Sequence, residues 1–256
     1  MPHIHVLKFG SSVLRGSADL PAVTAEIARF RETAQPVLAV VSAFAGETDR
    51  RIAEADRLGL DTDSPTRAAL IAEGEWQSAL ALTEAVRASG ATAAAVSPAD
   101  ISLRAKGPRT DGHPMAANMT ALRARLDEYG ILIIPGFSGL DRDGDTVLFG
   151  RGGSDMTALY LAHALGQPAC RLIKDVDGLY DRDPNRFPDA RRYETVSTRT
   201  AYQVGGVLVQ PKAIAFAEAH PLTIEVATMG QAGGSRVFRG AVDLLEEKAK
   251  DMALVG

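Results

Sequence analysis

Cysteine is almost absent from this sequence of 256 residues. The single residue of this type, Cys170, excludes an intrachain disulfide bond and a zinc site built from cysteines. The five histidines show no spacing typical of metal ligands. We therefore expect no metal site formed by protein side chains alone.

Two further absences restrict the kinds of molecule that the protein can bind. Lysine and arginine number 28 against 32 aspartates and glutamates, a net charge of −4, whereas a nucleic-acid-binding domain normally carries a basic face. No apolar run approaches the roughly 20 residues of a membrane span, and the N-terminal HIHVLKFG lacks the pattern of a signal peptide. The sequence predicts a cytoplasmic protein that binds neither nucleic acid nor membrane. A small anionic ligand stays compatible, because a few well-placed cations can bind it.

Short apolar segments rich in valine, isoleucine and leucine alternate with longer segments of helical pattern. With 46% hydrophobic and 23% charged residues, the chain can bury a sizeable core. The alternation predicts an α/β fold with a parallel sheet covered on both faces. The predicted strands are residues 4–9, 36–42, 91–96, 131–135, 169–173 and 222–227. The predicted helices are residues 20–31, 65–87, 116–129, 155–165, 198–204 and 212–219.

Two segments depart from this alternation. Residues 136–153 carry turn signals at 141–144 between FSGL and TVLF, which predicts a β-hairpin. Residues 241–254 are typical of an amphipathic helix or a solvated tail. Because we find neither an internal repeat nor a linker long enough to separate independent units, we expect residues 1–256 to form a single domain.

Turns that follow the predicted strands are the candidate ligand sites, since ligands of α/β sheets bind at the carboxyl ends of strands. The first turn is KFGSS, in which Lys8 offers a cation, Gly10 permits close backbone approach, and Ser11 and Ser12 offer donors. This is a phosphate cradle in type, although it matches neither of the common phosphate-binding fingerprints. An ordinary turn with a surface lysine is an equally good interpretation.

The second and third turns each lead into a helix. In VSAFAGETD (41–49), a helix start capped by Thr48 or Asp49 is as consistent with the residues as a ligand loop. In FGRGGSDMT (149–157), Arg151 lies between glycines, and Ser154 and Asp155 follow at a helix N-terminus. That composition favours an anion site, with simple helix capping as the alternative.

The fourth turn is KDVDGLYDRDP (174–184), whose aspartates could hold Mg²⁺, position a ribose or merely cap turns. No single turn is specific. If all four lie on one edge of one sheet, a nucleotide-phosphate site is favoured.

Several stretches occur in the order found in a known family. They are KFGSS (8–12), VVSAFAGETD (40–49), GEWQS (74–78), RTDGHPMAA (109–117), GFSG (136–139), GRGGSDMTAL (150–159), DVDGLYDRDP (175–184) and GGVLVQPKAI (205–214). Together they resemble the catalytic domain of aspartokinases, within the amino acid kinase superfamily. GRGGSD with GEWQS is quite specific to aspartokinases, whereas DGLYDRDP looks as much like a uridylate kinase.

The resemblance implies a three-layer αβα sandwich around a mainly parallel eight-stranded sheet. It implies that residues from about 1 to 165 hold the phosphoryl acceptor and those from about 166 to 240 hold ATP. The implied reaction is Mg²⁺-dependent transfer from ATP to the side-chain carboxylate of aspartate, giving an acyl phosphate. A carboxylate is already ionised at neutral pH, so catalysis needs positioning and charge neutralisation rather than a general base. A homodimer is also implied.

The resemblance also assigns residues to the two substrates. Arg151 would bind a carboxylate of the acceptor and Glu75 its α-ammonium group. The implied acceptor residues are Ser42, Thr48, Glu75 and Arg151, with Ser154 and Asp155 ordering that site. The residues expected at the transferring phosphate and along ATP are Lys8, Gly10, Ser11, Ser12, Asp175, Tyr180, Asp181 and Arg186.

One departure from the family affects catalysis. The family's late Gly-Ala-Lys-Val-Leu-His-Pro motif is GGVLVQP (205–211) here, so Val207 replaces a lysine on the ATP side. Lys174 and Lys212 are the candidates to replace the lost charge. We favour Lys174 as a catalytic residue, with Lys8 and Asp155, because it stands directly at a strand end. Lys212 is assigned to ATP binding.

Other departures leave alternatives open. The regulatory ACT domains of typical aspartokinases are missing from this sequence, so we expect either no built-in allosteric control or a separate regulatory or downstream-enzyme partner. The alternatives to an aspartate kinase are a kinase for another small carboxylate or for UMP, and a degenerate kinase fold that binds a nucleotide or a partner chain without turnover.

Overall fold

The computed structural model describes residues 3–204 and 208–246, in which helices and strands alternate. The helices are α1 (Leu20–Arg31), α2 (Glu47–Arg57), α3 (Pro65–Ala88), α4 (Met119–Tyr129), α5 (Gly153–Ala164), α6 (Thr198–Val204) and α7 (Pro211–Ala219). The strands are β1 (His5–Phe9), β2 (Val37–Val41), β3 (Ala94–Ala95), β4 (Arg104–Lys106), β5 (His113–Ala116), β6 (Ile131–Pro135), β7 (Ser138–Leu140), β8 (Thr146–Leu148), β9 (Ala169–Ile173), β10 (Tyr193–Ser197), β11 (Thr223–Ala227), β12 (Ser235–Phe238) and β13 (Leu244–Leu245).

The main sheet runs in the order β13-β10-β12-β11-β9-β1-β2-β6-β3. All pairs are parallel except β11 with β12 and β10 with β13. The expected mainly parallel sheet is therefore confirmed, but it has nine strands among the described residues rather than eight. Two-residue strands, β3 and β13, extend it at its two edges.

Helices cover both faces of this sheet, which confirms the three-layer αβα sandwich. On one face, α1 and α3 pack through residues such as Ile27 and Leu82 against the odd residues of β2 and β6. On the other face, α4, α5 and α7 pack through residues such as Leu122 and Leu159 against the even residues. Because side chains of a strand alternate between its two faces, strands that are apolar throughout become central strands buried on both sides.

Most predicted elements are confirmed, and the misses have local causes. The hairpin predicted in residues 136–153 is β7 and β8, and it belongs to a second sheet ordered β5-β4-β7-β8. Helix α2 begins where the second turn was expected to lead into a helix, although its bounds were not predicted. Strands β4, β5, β10 and β12 were not predicted, because their mixed polar composition gives little periodicity. The helix or solvated tail predicted over residues 241–254 is wrong for residues 241–246, because β13 lies there and pairs with β10. Residues 247–254 are outside the described part of the chain.

The order of the parallel strands determines where the turns meet. In β1 and β9, Phe9 pairs with Ile173, and in β1 and β2 it pairs with Val41. The carboxyl ends of these three strands therefore lie side by side, and the turns after them share one edge of the sheet. Helix α5 packs against β1 and brings the third glycine-rich turn to the same region.

Candidate active site

Two lysines share one buried carboxylate at this edge of the sheet. The Nζ atom of Lys8, in β1, lies 2.7 Å from Oδ1 of Asp155, and the Nζ atom of Lys174, directly after β9, lies 3.1 Å from Oδ2. Asp155 is in the first turn of α5. Each side chain comes from a different element, and all three are largely buried. The cluster carries two cations and one anion when all three groups are ionised, so it suits a further anion.

The pKa values in this cluster follow from burial and the neighbouring charges. Burial alone would raise the pKa of Asp155, but Lys8 and Lys174 outweigh it and hold that pKa below its usual value. Burial and the nearby charge of Lys8 lower the pKa of Lys174, although Asp155 opposes both effects. The carboxylate is thus firmly ionised, and it keeps two like charges close together.

A second buried pair lies beside the first. Glu75, in the middle of α3, accepts a hydrogen bond of 2.8 Å at Oε1 from the hydroxyl of Ser154, the residue before Asp155. Its other oxygen, Oε2, is buried and accepts no well-formed hydrogen bond from a described residue, although the backbone N–H groups of Ala43 and Gly136 also favour the ionised carboxylate. Burial raises the pKa of Glu75 to about 7, although the Ser154 hydroxyl and the charge of Lys8 act in the opposite direction. Glu75 is therefore poised to gain stabilisation from a ligand that donates to Oε2.

Glycines allow these elements to approach closely. A Cβ at Gly136, after β6, would lie 2.6 Å from Cα and Cβ of Ser154, so no other residue fits there without a shift. A Cβ at Gly10 would lie 3.0 Å from Nζ of Lys8, and its absence leaves room for that ammonium group above the first turn. Only the glycine at position 136 is required by a contact between segments far apart in the sequence.

A cleft of about 720 Å³ opens next to the two lysines. Its walls come from the first and fourth turns and from α6, and none of its lining residues is a histidine or a cysteine. The lining residues include Lys8, Gly10, Ser11, Ser12, Lys174, Asp175, Tyr180, Asp181, Gln203, Val204 and Leu208. The volume is that of a pocket for a small-molecule ligand or cofactor.

The structure brings together most residues assigned to ATP, and it separates two of them from the cleft. Seven of the nine, from Lys8 to Asp181, line it. Arg186 is exposed and does not line it, although its neighbours Pro184 and Asn185 do. Lys212 is also absent from the lining, because its Nζ atom contacts Asp111 at 2.6 Å and the carbonyl oxygen of Phe149 at 2.5 Å. Residues 205–207, which include Val207, lie outside the described part of the chain.

The residues assigned to the acceptor lie on several different elements, and of these Ser154 contacts Glu75. Ser42 directly follows β2, and its backbone N–H donates to the carbonyl of Phe9. Thr48 is in the first turn of α2. Arg151 is exposed in the turn between β8 and α5, and no ion pair connects it to another described residue. Its guanidinium is therefore available to a ligand.

Sequence reasoning overlooked two groups of supporting residues. The hydroxyl of Ser78 accepts the backbone N–H of Phe44 at 3.1 Å and so ties α3 to the second turn. Its place one turn after Glu75, within the GEWQS stretch, was a usable signal. Beside the cleft, Asp177 accepts a hydrogen bond of 2.7 Å from the hydroxyl of Tyr180 and another from Arg192. No local pattern marks Arg192, which reaches Asp177 only through the fold.

Carboxylates suited to a magnesium ion are few here. Within residues 3–204 and 208–246, no three His, Cys, Asp or Glu side chains are placed to hold a metal ion together. Asp155 is committed to two lysines, whereas Asp175 is exposed at the cleft and can supply one oxygen ligand. This arrangement fits an ion that is held mainly by nucleotide phosphates.

Among the helices of residues 3–204 and 208–246, none combines the length and the apolar composition of a membrane span.

The chain is similar in sequence to known proteins. The sequence model of the amino acid kinase family matches residues 3–237. The aspartokinase of Pseudomonas aeruginosa is 29% identical over 254 residues, which cover 98% of this chain and 61% of that protein. The aspartokinase of Thermus thermophilus is 29% identical over 224 residues, which cover 86% of this chain and 55% of that protein. The chain thus spans somewhat more than half the length of these curated relatives.

Solved structures show the same fold. Aspartokinase III of E. coli, crystallised with lysine and aspartate, has a TM-score of 0.78 at 24% identity, covering 93% of this chain and 65% of that one. The UMP kinase of Bacillus anthracis has a TM-score of 0.65 at 16% identity, covering 96% of this chain and 99% of that one. At these identities the likeness concerns the fold alone.

Proposed function

Because the chain belongs to the amino acid kinase family, we propose that it transfers the γ-phosphoryl group of ATP to the side-chain carboxylate of aspartate. The observation that carries this proposal is the pair of lysines, Lys8 and Lys174, that share Asp155 beside the cleft. In this reaction an acceptor oxygen bonds to the γ-phosphorus, the bond to the β,γ-bridging oxygen breaks, and ADP leaves. No proton has to move.

The lysine pair supports phosphoryl transfer on electrostatic grounds. The acceptor and the γ-phosphate are both anionic, so the barrier includes their repulsion, and fixed cations lower it without reorganising. Two ammonium groups around one carboxylate leave a net positive charge at the mouth of the cleft. The turn of Gly10, Ser11 and Ser12 adds donors for phosphate oxygens. Magnesium held by the nucleotide would supply further charge neutralisation, with Asp175 as its protein ligand.

The residues around Glu75 support an amino acid as the acceptor. Its Oε2 atom is buried and accepts no well-formed hydrogen bond from a described residue, so an α-ammonium group would supply a strong donor there. Arg151 is exposed without an ion pair among the described residues and can bind a carboxylate through two hydrogen bonds. In this proposal residues before about 165 hold the acceptor, with Ser42, Thr48 and Ser154, and later ones hold ATP.

UMP is the second candidate acceptor. The favouring observation is the DGLYDRDP stretch, which resembles a uridylate kinase as much as an aspartokinase. The buried carboxylate of Glu75 disfavours a nucleotide monophosphate, because an ionised carboxylate and a phosphate repel each other. Aspartate therefore remains our first choice of acceptor. We also propose that the protein forms a homodimer and that it works with a separately encoded regulatory or downstream-enzyme partner.

The experiment measures ADP release from Mg-ATP with aspartate, glutamate, N-acetylglutamate and UMP, and it traps any acyl phosphate with hydroxylamine. We expect aspartyl hydroxamate. The variant Arg151→Ala should raise the KM for aspartate about tenfold or more and leave the KM for ATP unchanged. Arg142→Ala is the matched control, because Arg142 is 92% exposed in another turn.

Two results would contradict the proposal. ADP release with UMP alone would assign the chain to nucleotide kinases. ATP binding without turnover of any acceptor would indicate a degenerate kinase. Light scattering tests the dimer, which a monomer at assay concentration would contradict.

A further inference from the structure

The turn that carries Arg151 is enclosed by two segments distant in the sequence. Gly150 has a φ of +63°, and a Cβ there would lie 2.2 Å from Oδ1 of Asp111. Gly152 has a φ of +78°, and a Cβ there would lie 2.6 Å from Cβ of Gln210. The left-handed conformation favours glycine at both positions, and a side chain at either would have to displace Asp111 or Gln210. The turn is therefore in close contact with both neighbouring segments.

Lys212 connects these same segments. From the first turn of α7, its Nζ atom donates to Oδ1 of Asp111 at 2.6 Å and to the carbonyl oxygen of Phe149 at 2.5 Å. Phe149 directly precedes Gly150, so Lys212 holds the start of the turn, while Gln210, two residues earlier, packs on Gly152. One short segment thus contacts the Arg151 turn at both ends.

We propose that Lys212 and Asp111 are positioning residues that hold Arg151 over the acceptor site, and that Lys212 is not a ligand of ATP. This inference rests on the proposed function, which places the acceptor at Arg151. Two facts support it: Lys212 does not line the cleft, and both of its acceptor oxygens belong to the surroundings of the Arg151 turn.

The contact acts on geometry more than on stability. The side chain of Asp111 is 65% exposed, and an ion pair with so exposed a partner contributes little to the free energy of unfolding. A guanidinium that binds a carboxylate, by contrast, must be held in position, because small displacements of a binding group cost much of its effect. Loss of the contact should therefore weaken acceptor binding while leaving the fold intact.

The kinetic test compares Lys212→Met, Asp111→Asn and the double variant. We expect each single variant to raise the KM for the acceptor about tenfold while the KM for ATP stays unchanged. The double variant should resemble the single ones, because both remove the same contact. Lys212→Arg should restore most of the acceptor affinity. Lys106→Met, at an exposed lysine of β4, is the control for loss of a positive charge.

A second measurement needs no substrate. Hydrogen exchange of the amides of residues 150–156 should be faster in Lys212→Met and Asp111→Asn than in the wild type, since the turn loses its support. The amide of Gly153, bonded to the carbonyl of Gly150, is the main reporter. This readout remains informative even if the chain phosphorylates no amino acid, so failure of the inference and of the proposed function can be distinguished.

Two results would overturn the inference. A raised KM for ATP in Lys212→Met, with Asp111→Asn unaffected, would make Lys212 a nucleotide ligand. Unchanged exchange of residues 150–156 in both variants would show that the contact does not position the turn.

Discussion

The Nζ atom of Lys174 lies 3.1 Å from Oδ2 of Asp155, the carboxylate whose other oxygen pairs with Lys8. A single buried anion thereby orients two ammonium groups toward the same cleft. The resembling family has a lysine where this sequence has Val207. The position of Lys174 at the cleft is the one expected if its ammonium group replaces the positive charge that the lysine at position 207 would supply.

Removal of that charge gives the first prediction. Lys174→Met should lower kcat about 100-fold or more, because a fixed cation at the transferring phosphate is lost, and Lys174→Arg should keep more activity. The measurement is ADP release at saturating aspartate and ATP, with thermal unfolding to confirm the fold. Lys106→Met serves as the control. An unchanged kcat in Lys174→Met would mean that another group supplies the charge.

The shared carboxylate gives the second prediction. Asp155→Asn leaves Lys8 and Lys174 close together and largely buried with no anion between them. Breaking a buried ion pair in this way costs about 3–5 kcal/mol of unfolding free energy. Urea denaturation at neutral pH measures it, and Asp143→Asn, at a surface position, should change stability by less than about 0.5 kcal/mol. Equal stability of the two variants would contradict a strong pairing.

Glu75 gives a prediction about pH. Its pKa is raised to about 7 from its ordinary value of 4.5, so between these pH values the folded state keeps a proton that the unfolded state has lost. Stability therefore falls as pH rises through this window, and above pH 7 ionised Glu75 costs about 3 kcal/mol. Glu75→Gln removes the cost, so its stability relative to wild type should be higher at pH 8 than at pH 5.

Urea denaturation at the two pH values measures this difference. The control is Glu84→Gln, at a surface position with a side chain 71% exposed, which should show no such dependence. The same titration should appear in catalysis: kcat/KM for aspartate should rise with pH through about 7, because only ionised Glu75 pairs with an ammonium group. A flat profile in both experiments would mean that Glu75 is ionised throughout.

The close approach at Gly136 gives the last prediction. Gly136→Ala places a Cβ 2.6 Å from the backbone of Ser154, so either β6 or α5 must shift. We expect a loss of about 1–3 kcal/mol of unfolding free energy and a raised KM for the acceptor, since Ser154 holds Glu75. Gly16→Ala, where a Cβ would meet nothing within 4 Å, is the control. Equal effects of the two substitutions would show that the contact is easily relieved.

The elements that sequence predicted well are those with strong local patterns. Helix α1 was predicted with its observed bounds, and the apolar segments of β1, β2, β6 and β9 each became a central strand. Strand order does not follow from the sequence, which left open whether the four turns share one edge of the sheet. The observed order β9-β1-β2 brings the first, second and fourth turns together there. A helix after the second turn was expected as one of two interpretations, but the bounds of α2 were not predicted, because it is mostly charged and buries few residues.

What the sequence determined by itself is the α/β class, the position of the glycine-rich turns and the residue types available for chemistry, because these depend on neighbours along the chain. Only the tertiary structure decided that Lys174 meets Lys8 at Asp155, that Glu75 is buried against Ser154, and that Lys212 turns toward Asp111 instead of the cleft. The reason is physical: the direction and the pKa of a side chain depend on segments packed against it, and those segments are distant in the sequence.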